Sequence, residues 1–208
     1  MAKALDMIIR DRKLSSWNLD QSPTQFQGHG SSHELAAILL TECIQHSLHT
    51  TKRPLFALYL DAKSAFDVVR WELLIKNMYS IHGIDKSLLF IDKWLSCRQT
   101  VAEWDGHLLG PIKDEQGLEQ GGVSSSDFYK IFGKEQLTLA QKSSLGVPLL
   151  EQSSSSVVVS AIGQADDTVL LSNDIFSLFY LLKLSSIFCT KYQVELCAEK
   201  TRLQRFLP

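Results

Sequence analysis

The chain has 208 residues, enough for one sizeable core and, at about 150 residues per domain, too few for a large multidomain enzyme. Hydrophobic residues make up 45% and charged residues 21%, the mix of a globular chain rather than a disordered or collagen-like one. The formal net charge of −2 is spread over both halves, so bulk charge announces no surface for a polyanion.

The first 15 residues place Arg10, Arg12 and Lys13 after a short apolar stretch, which is not the order of a signal peptide. No apolar run approaches the roughly 18 residues that cross a bilayer, since the longest, 178–184, is broken by Lys183. These readings imply an intracellular, soluble chain with no membrane partner. Cys43, Cys97, Cys189 and Cys197 are too far apart for a CxxC zinc site and read as reduced, partly buried thiols.

In chain order, Ser31 with Glu34 makes a capping-box pattern, and Ala37, Leu40, Ile44 and Leu48 predict a helix over 32–49. The apolar run 55–60 predicts a buried strand that ends on Asp61. Trp71, Leu74, Met78 and Ile81 restore the helical period until Gly83 stops it, and Leu88, Ile91 and Leu95 suggest a shorter helix. Residues 99–104 and 107–112 flank Asp105-Gly106, a pair that supplies the positive φ of a type I′ hairpin turn. A helix follows over 124–139. Residues 153–156 read as a surface loop, and strands are expected over 157–162 and 168–171, with Asp166 and Asp167 at the bend between them. A long helix over about 175–191 and a last strand through 194–196 close an α+β pattern with a largely antiparallel sheet.

Carboxylates at the ends of buried strands are costly unless compensated. Placing the strand before Asp61 beside the hairpin of Asp166 and Asp167 converges three carboxylates on one sheet edge. Such oxygen ligands suit Mg²⁺, and two ions about 3.5–4 Å apart are the apparatus of phosphoryl and nucleotidyl transfer. An Asp-Asp pair also occurs in turns for local hydrogen-bonding reasons, and Asp61 alone reads equally as a helix N-cap.

The neighbours of these residues carry a resemblance. Phe56-Ala-Leu-Tyr-Leu-Asp61-Ala-Lys-Ser-Ala-Phe66-Asp67-Val-Val resembles the first catalytic motif of reverse transcriptases, particularly those of non-LTR (LINE-type) retrotransposons. Gly117-Leu-Glu-Gln120-Gly121-Gly-Val-Ser-Ser-Ser-Asp-Phe is similar to the second motif, Ala161-Ile-Gly-Gln164-Ala165-Asp166-Asp167-Thr-Val-Leu-Leu to the third, and Glu199-Lys200-Thr201 to the fourth. Residues 27–32 resemble the segment before the first motif, and 94–99 the stretch before the second. The likeness runs over about 24–206, with the motifs in order.

The resemblance implies an α+β, polymerase palm-type antiparallel sheet backed by helices, with a truncated fingers segment and no thumb. As a single partial domain over 1–208, it would hold a fingers remnant in 1–54 and a palm in 55–208, with a fingers-like insertion around 83–115. It implies RNA-directed DNA polymerase activity, with an RNA template, a DNA primer and deoxynucleoside triphosphates as partners and two Mg²⁺ ions, or Mn²⁺, as cofactor. Asp61, Asp166 and Asp167 would be catalytic metal ligands, and the carbonyl of Ala62 a further ligand. Phe66 would press on the sugar of the incoming nucleotide, Gln120 and Gly121 would let the backbone approach the template–nucleotide pair, and Lys200 would face the leaving pyrophosphate. Four positions depart from the family pattern: Gln164 where an aromatic residue is usual, Glu119 for proline, Gly122 for serine and Cys197 for asparagine. The rival readings are a non-catalytic retroelement remnant with a palm fold and weak nucleic-acid binding, and a two-metal phosphohydrolase. The latter would need a water-activating base, for which His33, His82 and His107 are the candidates.

Overall fold

The computed structural model describes residues 2–12, 14, 24–26, 33–152 and 155–208. The element order is α1 (Ala2–Arg12), α2 (His33–Gln45), β1 (Leu55–Leu60), α3 (Trp71–His82), α4 (Lys86–Ser96), β2 (Gln99–Trp104), β3 (His107–Lys113), α5 (Ser125–Lys142), β4 (Val147–Gln152), β5 (Ser155–Val159), β6 (Ala161–Gln164), β7 (Asp167–Ser172), α6 (Ile175–Tyr192) and β8 (Arg202–Phe206). They fall into two compact units, residues 1–20 with 66–132, and residues 21–65 with 133–208. The expected capping box and the 27–32 segment lie outside the described residues.

The second unit is built on one sheet of order β6-β7-β1-β8, antiparallel throughout. Side chains on a strand alternate between faces, and here both faces are buried, which is why β1 reads as an unbroken apolar run. Leu55, Ala57 and Tyr59 pack with Val169, Leu171 and Ile162 against Ala36, Leu40 and Cys43 of α2. Phe56, Leu58 and Leu60 pack with Leu170 and Ala161 against Leu137 and Ala140 of α5 and Leu178 and Leu181 of α6. Gly163 is needed where a side chain would collide, since a Cβ there would stand 2.7 Å from Cδ1 of Leu137. Burial pushes the Cys43 thiol up to about 12. Among the described residues, α6 is the one helix long and apolar enough to cross a membrane. It buries Leu178, Leu181, Ser185, Phe188, Cys189 and Tyr192 and leaves Phe176, Phe179, Tyr180 and Ile187 exposed.

Three expectations need correction. The predicted strand over 157–162 is two strands that change ladders at Ser160, β5 pairing with β4 and β6 with β7. An apolar run carries no mark of where its partner changes. β4 itself went unread because Pro148 suggests a loop, yet Pro is tolerated in a two-stranded ladder, here beside a register shift between Pro148 and Leu150. The predicted last strand over 194–196 contributes only the bridge Ala62↔Leu196, and the regular strand is β8, which pairs with β1 at the sheet edge. Its sequence, Arg-Leu-Gln-Arg-Phe, hides it, because an exposed edge strand needs no apolar alternation.

In the first unit, α3 stops at Gly83 (φ 83°) and α4 is capped by Asp85, which accepts from Leu88 N–H at 2.8 Å. Met78, Leu74, Leu88, Ile91 and Leu95 are buried there. The hairpin β2–β3 turns as expected on Asp105 (φ 49°) and Gly106 (φ 75°), but every one of its strand residues is exposed. The buried Asp6 of α1, which no sequence signal marked, accepts hydrogen bonds from Val123 N–H and from the N–H and hydroxyl of Ser124, at the start of α5. A carboxylate is favoured there by the exposed N–H groups of a helix start.

Candidate active site

The carboxylate site belongs to the second unit. The β1–β7 ladder ends at Leu60↔Thr168, so Asp61 and Asp167 lie one step past it on neighbouring strands. Gln164 pairs with Asp167, and the two-residue bend between them is Ala165 and Asp166, with Ala165 in the left-handed region at φ 50°. Such a φ is uncommon for a residue with a Cβ and carries a steric cost. The alternation that sends Tyr59, Ile162 and Val169 toward α2 sends Asp61, Gln164 and Asp167 the same way.

A second stretch of backbone holds Asp61 from the other side. Cys197 N–H donates to the Asp61 carbonyl at 2.8 Å, Ala62 bridges Leu196, and Lys63 N–H donates to the Glu195 carbonyl while its ammonium pairs with the Glu195 carboxylate. The chain then tightens into a turn in which the Cys197 carbonyl accepts from Lys200 N–H, Thr201 N–H and the Thr201 hydroxyl. That turn aims Lys200 at Asp61, with Nζ 3.3 Å from Oδ1.

The electrostatics follow from this crowding. The Asp167 carboxyl is pushed up by partial desolvation and then by the like charges of Asp166 and Asp61, with Lys200 opposing. The Lys200 ammonium is raised by its hydrogen bond to Asp61 and by the attraction of Asp61 and Asp166. Among the described residues no group of three or more His, Cys, Asp or Glu is gathered closely enough to hold a metal alone. Mg²⁺ asks for less: one or two carboxylates, with phosphate oxygens and water filling its octahedron. The donor set here is all hard oxygen, its negative charge is incompletely neutralised, and Asp61 already draws a cation, so the residues fit a divalent ion.

A cavity of about 390 Å³ opens beside these groups, lined by His33, Ala36, Ala37 and Leu40 of α2 and, on the sheet, by Tyr59, Asp61, Ile162, Gln164, Asp167 and Val169. Lys200 closes its lining. His33 was a candidate base without any telling spacing to the aspartates, and the packing of α2 brings it to their cavity. His82 instead sits 3.4 Å from Asp85, and His107 is in the exposed β2–β3 hairpin.

The other expected residues form a separate group in the first unit. Phe66 is half-buried, its ring 5.0 Å from that of Tyr129, and its carbonyl accepts from Leu118 N–H. Gly117 N–H donates to Val69 and the Gly117 carbonyl accepts from the Trp71 indole at 2.7 Å, stitching the 66–69 segment to 117–118. Gln120 and Gly121 are exposed in the turn that follows. Gly121 has φ 82° with open space where a Cβ would be, so conformation explains this glycine.

A family model described as reverse transcriptase (RNA-dependent DNA polymerase) matches residues 1–205. Among solved structures, the chain is similar to telomerase from Candida tropicalis in complex with a TWJ fragment of telomeric RNA, with a TM-score of 0.68 and 16% identity over 97% of this chain and 33% of that one. It is also similar to apo telomerase from Candida tropicalis truncated from its C-terminal domain, with a TM-score of 0.64 and 15% identity over 99% of this chain and 41% of that one. At such identities the likeness concerns the fold, and the chain spans well under half the length of either structure. No curated protein matches.

Proposed function

From membership of the reverse transcriptase (RNA-dependent DNA polymerase) family, to which the chain belongs, we propose that it carries an RNA-templated DNA polymerase site built on Asp61, Asp166, Asp167 and Lys200. The observation that carries the reading is the meeting, in one cavity wall, of Asp61 just past β1, the hairpin bearing Asp167, and the turn bearing Lys200.

In this reading Asp61 and Asp166 hold the divalent ions, with Asp167 beside them and the Ala62 carbonyl as a further oxygen. The ions, when bound, lower the pKa of a primer 3′-hydroxyl and neutralise charge on the leaving pyrophosphate. Lys200 moves from Asp61 toward that pyrophosphate and can protonate it. Phe66 bears on the sugar of the incoming deoxynucleotide, and Gln120 and Gly121 on the template–nucleotide pair. The bond made joins the 3′-oxygen to the α-phosphorus, and the bond broken releases pyrophosphate. The wording of the Asp61 motif favours the non-LTR branch of the family, while the telomerase likeness bears on fold alone.

Primer extension on an RNA template tests the reading. Asp166→Asn is expected to lower incorporation by at least about a hundredfold, since perturbing even the residues behind metal ligands costs about 10–100-fold. Equal incorporation by both chains overturns the role of Asp166, and no incorporation by either supports a non-catalytic remnant.

A further inference from the structure

We propose that His33 and Gln164 form a positioning pair that fixes the Asp166–Asp167 turn against α2. The inference rests on the reading of that turn as catalytic.

The turn needs holding. It spans two residues, keeps Ala165 at φ 50° without glycine's freedom, and sets Asp167 near two like charges, Asp166 and Asp61. β6, which leads into it, is four residues long and lies at the end of the sheet order. Its outer side is stitched by Gly163 N–H to the Thr24 carbonyl at 2.9 Å and by Phe26 N–H to the Gly163 carbonyl at 2.8 Å. At the next residue the side chain takes over: the Gln164 carboxamide nitrogen lies 2.7 Å from Nδ1 of His33.

That hydrogen bond links a helix packed on the sheet to a bend outside the core clusters. α2 is locked to the sheet by Ala36, Leu40 and Cys43, whereas the bend of the hairpin has no side-chain core of its own. The carboxamide nitrogen is a donor, and Nδ1 accepts from it in the imidazole tautomer whose proton is on Nε2. The other polar atom of the carboxamide, Oε1, is buried without a hydrogen-bond partner among the described residues. The hydrogen bond itself is exposed to solvent, whereas Oε1 carries the cost of a buried acceptor without a partner, directly before Ala165 and the two aspartates. Gln164 pairs directly with Asp167, so a shift of the amide moves the Asp167 backbone with it.

The test combines amide hydrogen exchange across 160–170 with steady-state extension by wild type, His33→Ala, Gln164→Leu and the double variant. We expect either single change to speed exchange of the 165–168 amides about tenfold while 55–60 exchange as before. kcat is expected to fall about tenfold with KM for the nucleotide unchanged, and the double variant to be no worse than either single one, because both remove one contact. His33→Gln, which restores an acceptor, should recover most of both losses and separates the pair from a general loss of fold. Unchanged exchange, additive losses, or faster exchange with unchanged kcat overturns the proposal. A wild-type chain that extends no primer overturns the polymerase reading and the catalytic half of the pair's role, while the exchange data still decide whether the pair clamps the turn.

Discussion

The hairpins β2–β3 and β6–β7 both use two-residue bends and have opposite fates. β2–β3 has favoured turn residues, Asp105 and Gly106, and exposes Val101, Trp104, Leu108, Leu109 and Ile112 on strands with no residue buried. β6–β7 bends at Ala165 and Asp166, a poor choice for positive φ, and buries Ala161, Ile162, Val169, Leu170 and Leu171. Local turn chemistry holds the first together, and tertiary packing holds the second. The strain sits where packing can bear it, and there the candidate carboxylates are found.

Breaking the comparison is simplest in the strands. Leu170→Ala should cost about 2–5 kcal/mol in urea unfolding, since a fully buried side chain leaves a cavity between β7 and α6. Leu109→Ala in the exposed hairpin should stay within about 0.5 kcal/mol of wild type. Comparable losses at the two positions would dissolve the distinction.

The bends respond in opposite senses. Gly106→Ala has open space for its Cβ, so only the φ of 75° penalises it, at roughly 1 kcal/mol, read as faster amide exchange in β2–β3. Ala165→Gly should relieve strain and raise the melting temperature by the equivalent of up to about 1 kcal/mol. A lower melting temperature for that variant would show that Ala165 contributes packing that outweighs its backbone cost.

The smallest expected effect is electrostatic. The Asp167 carboxyl is raised in the fold, so the stability linked to it is fully present below the unfolded value of about 3.9 and is lost as pH rises through the folded value. Asp167→Asn should therefore melt close to wild type near pH 3 and above it at pH 7. The gain should be under about 1 kcal/mol, because solvent screens a partly exposed group. A gap that narrows with rising pH would reverse the sign and point to Lys200 as the stronger influence on Asp167.

Much of the fold could be read from spacing alone. The 3.6-residue period placed α3, α4, α5 and α6 within a few residues, and the continuous apolar run placed β1, because each of these elements buries a regular pattern of its own side chains. β4 and β8 were missed, since a Pro-containing ladder and an exposed edge strand need no such pattern. The site divided in the same way. Asp61, Asp166, Asp167 and Lys200 sit in local motifs that a sequence displays, whereas His33 carries no local mark and reaches Gln164 across 131 positions.

By itself, then, the sequence determined the regularly patterned elements, the Asp-Gly turn and the family motifs, because propensity, periodicity and motif spacing are properties of neighbouring residues. Only the tertiary structure decided that the strand at 157–162 serves two ladders, that Lys200 answers Asp61, and that α2 brings His33 to Gln164 beside the bend of Asp166. Those facts depend on which surfaces meet, and surfaces meet to bury apolar area and pair charge over distances along the chain that no local pattern records.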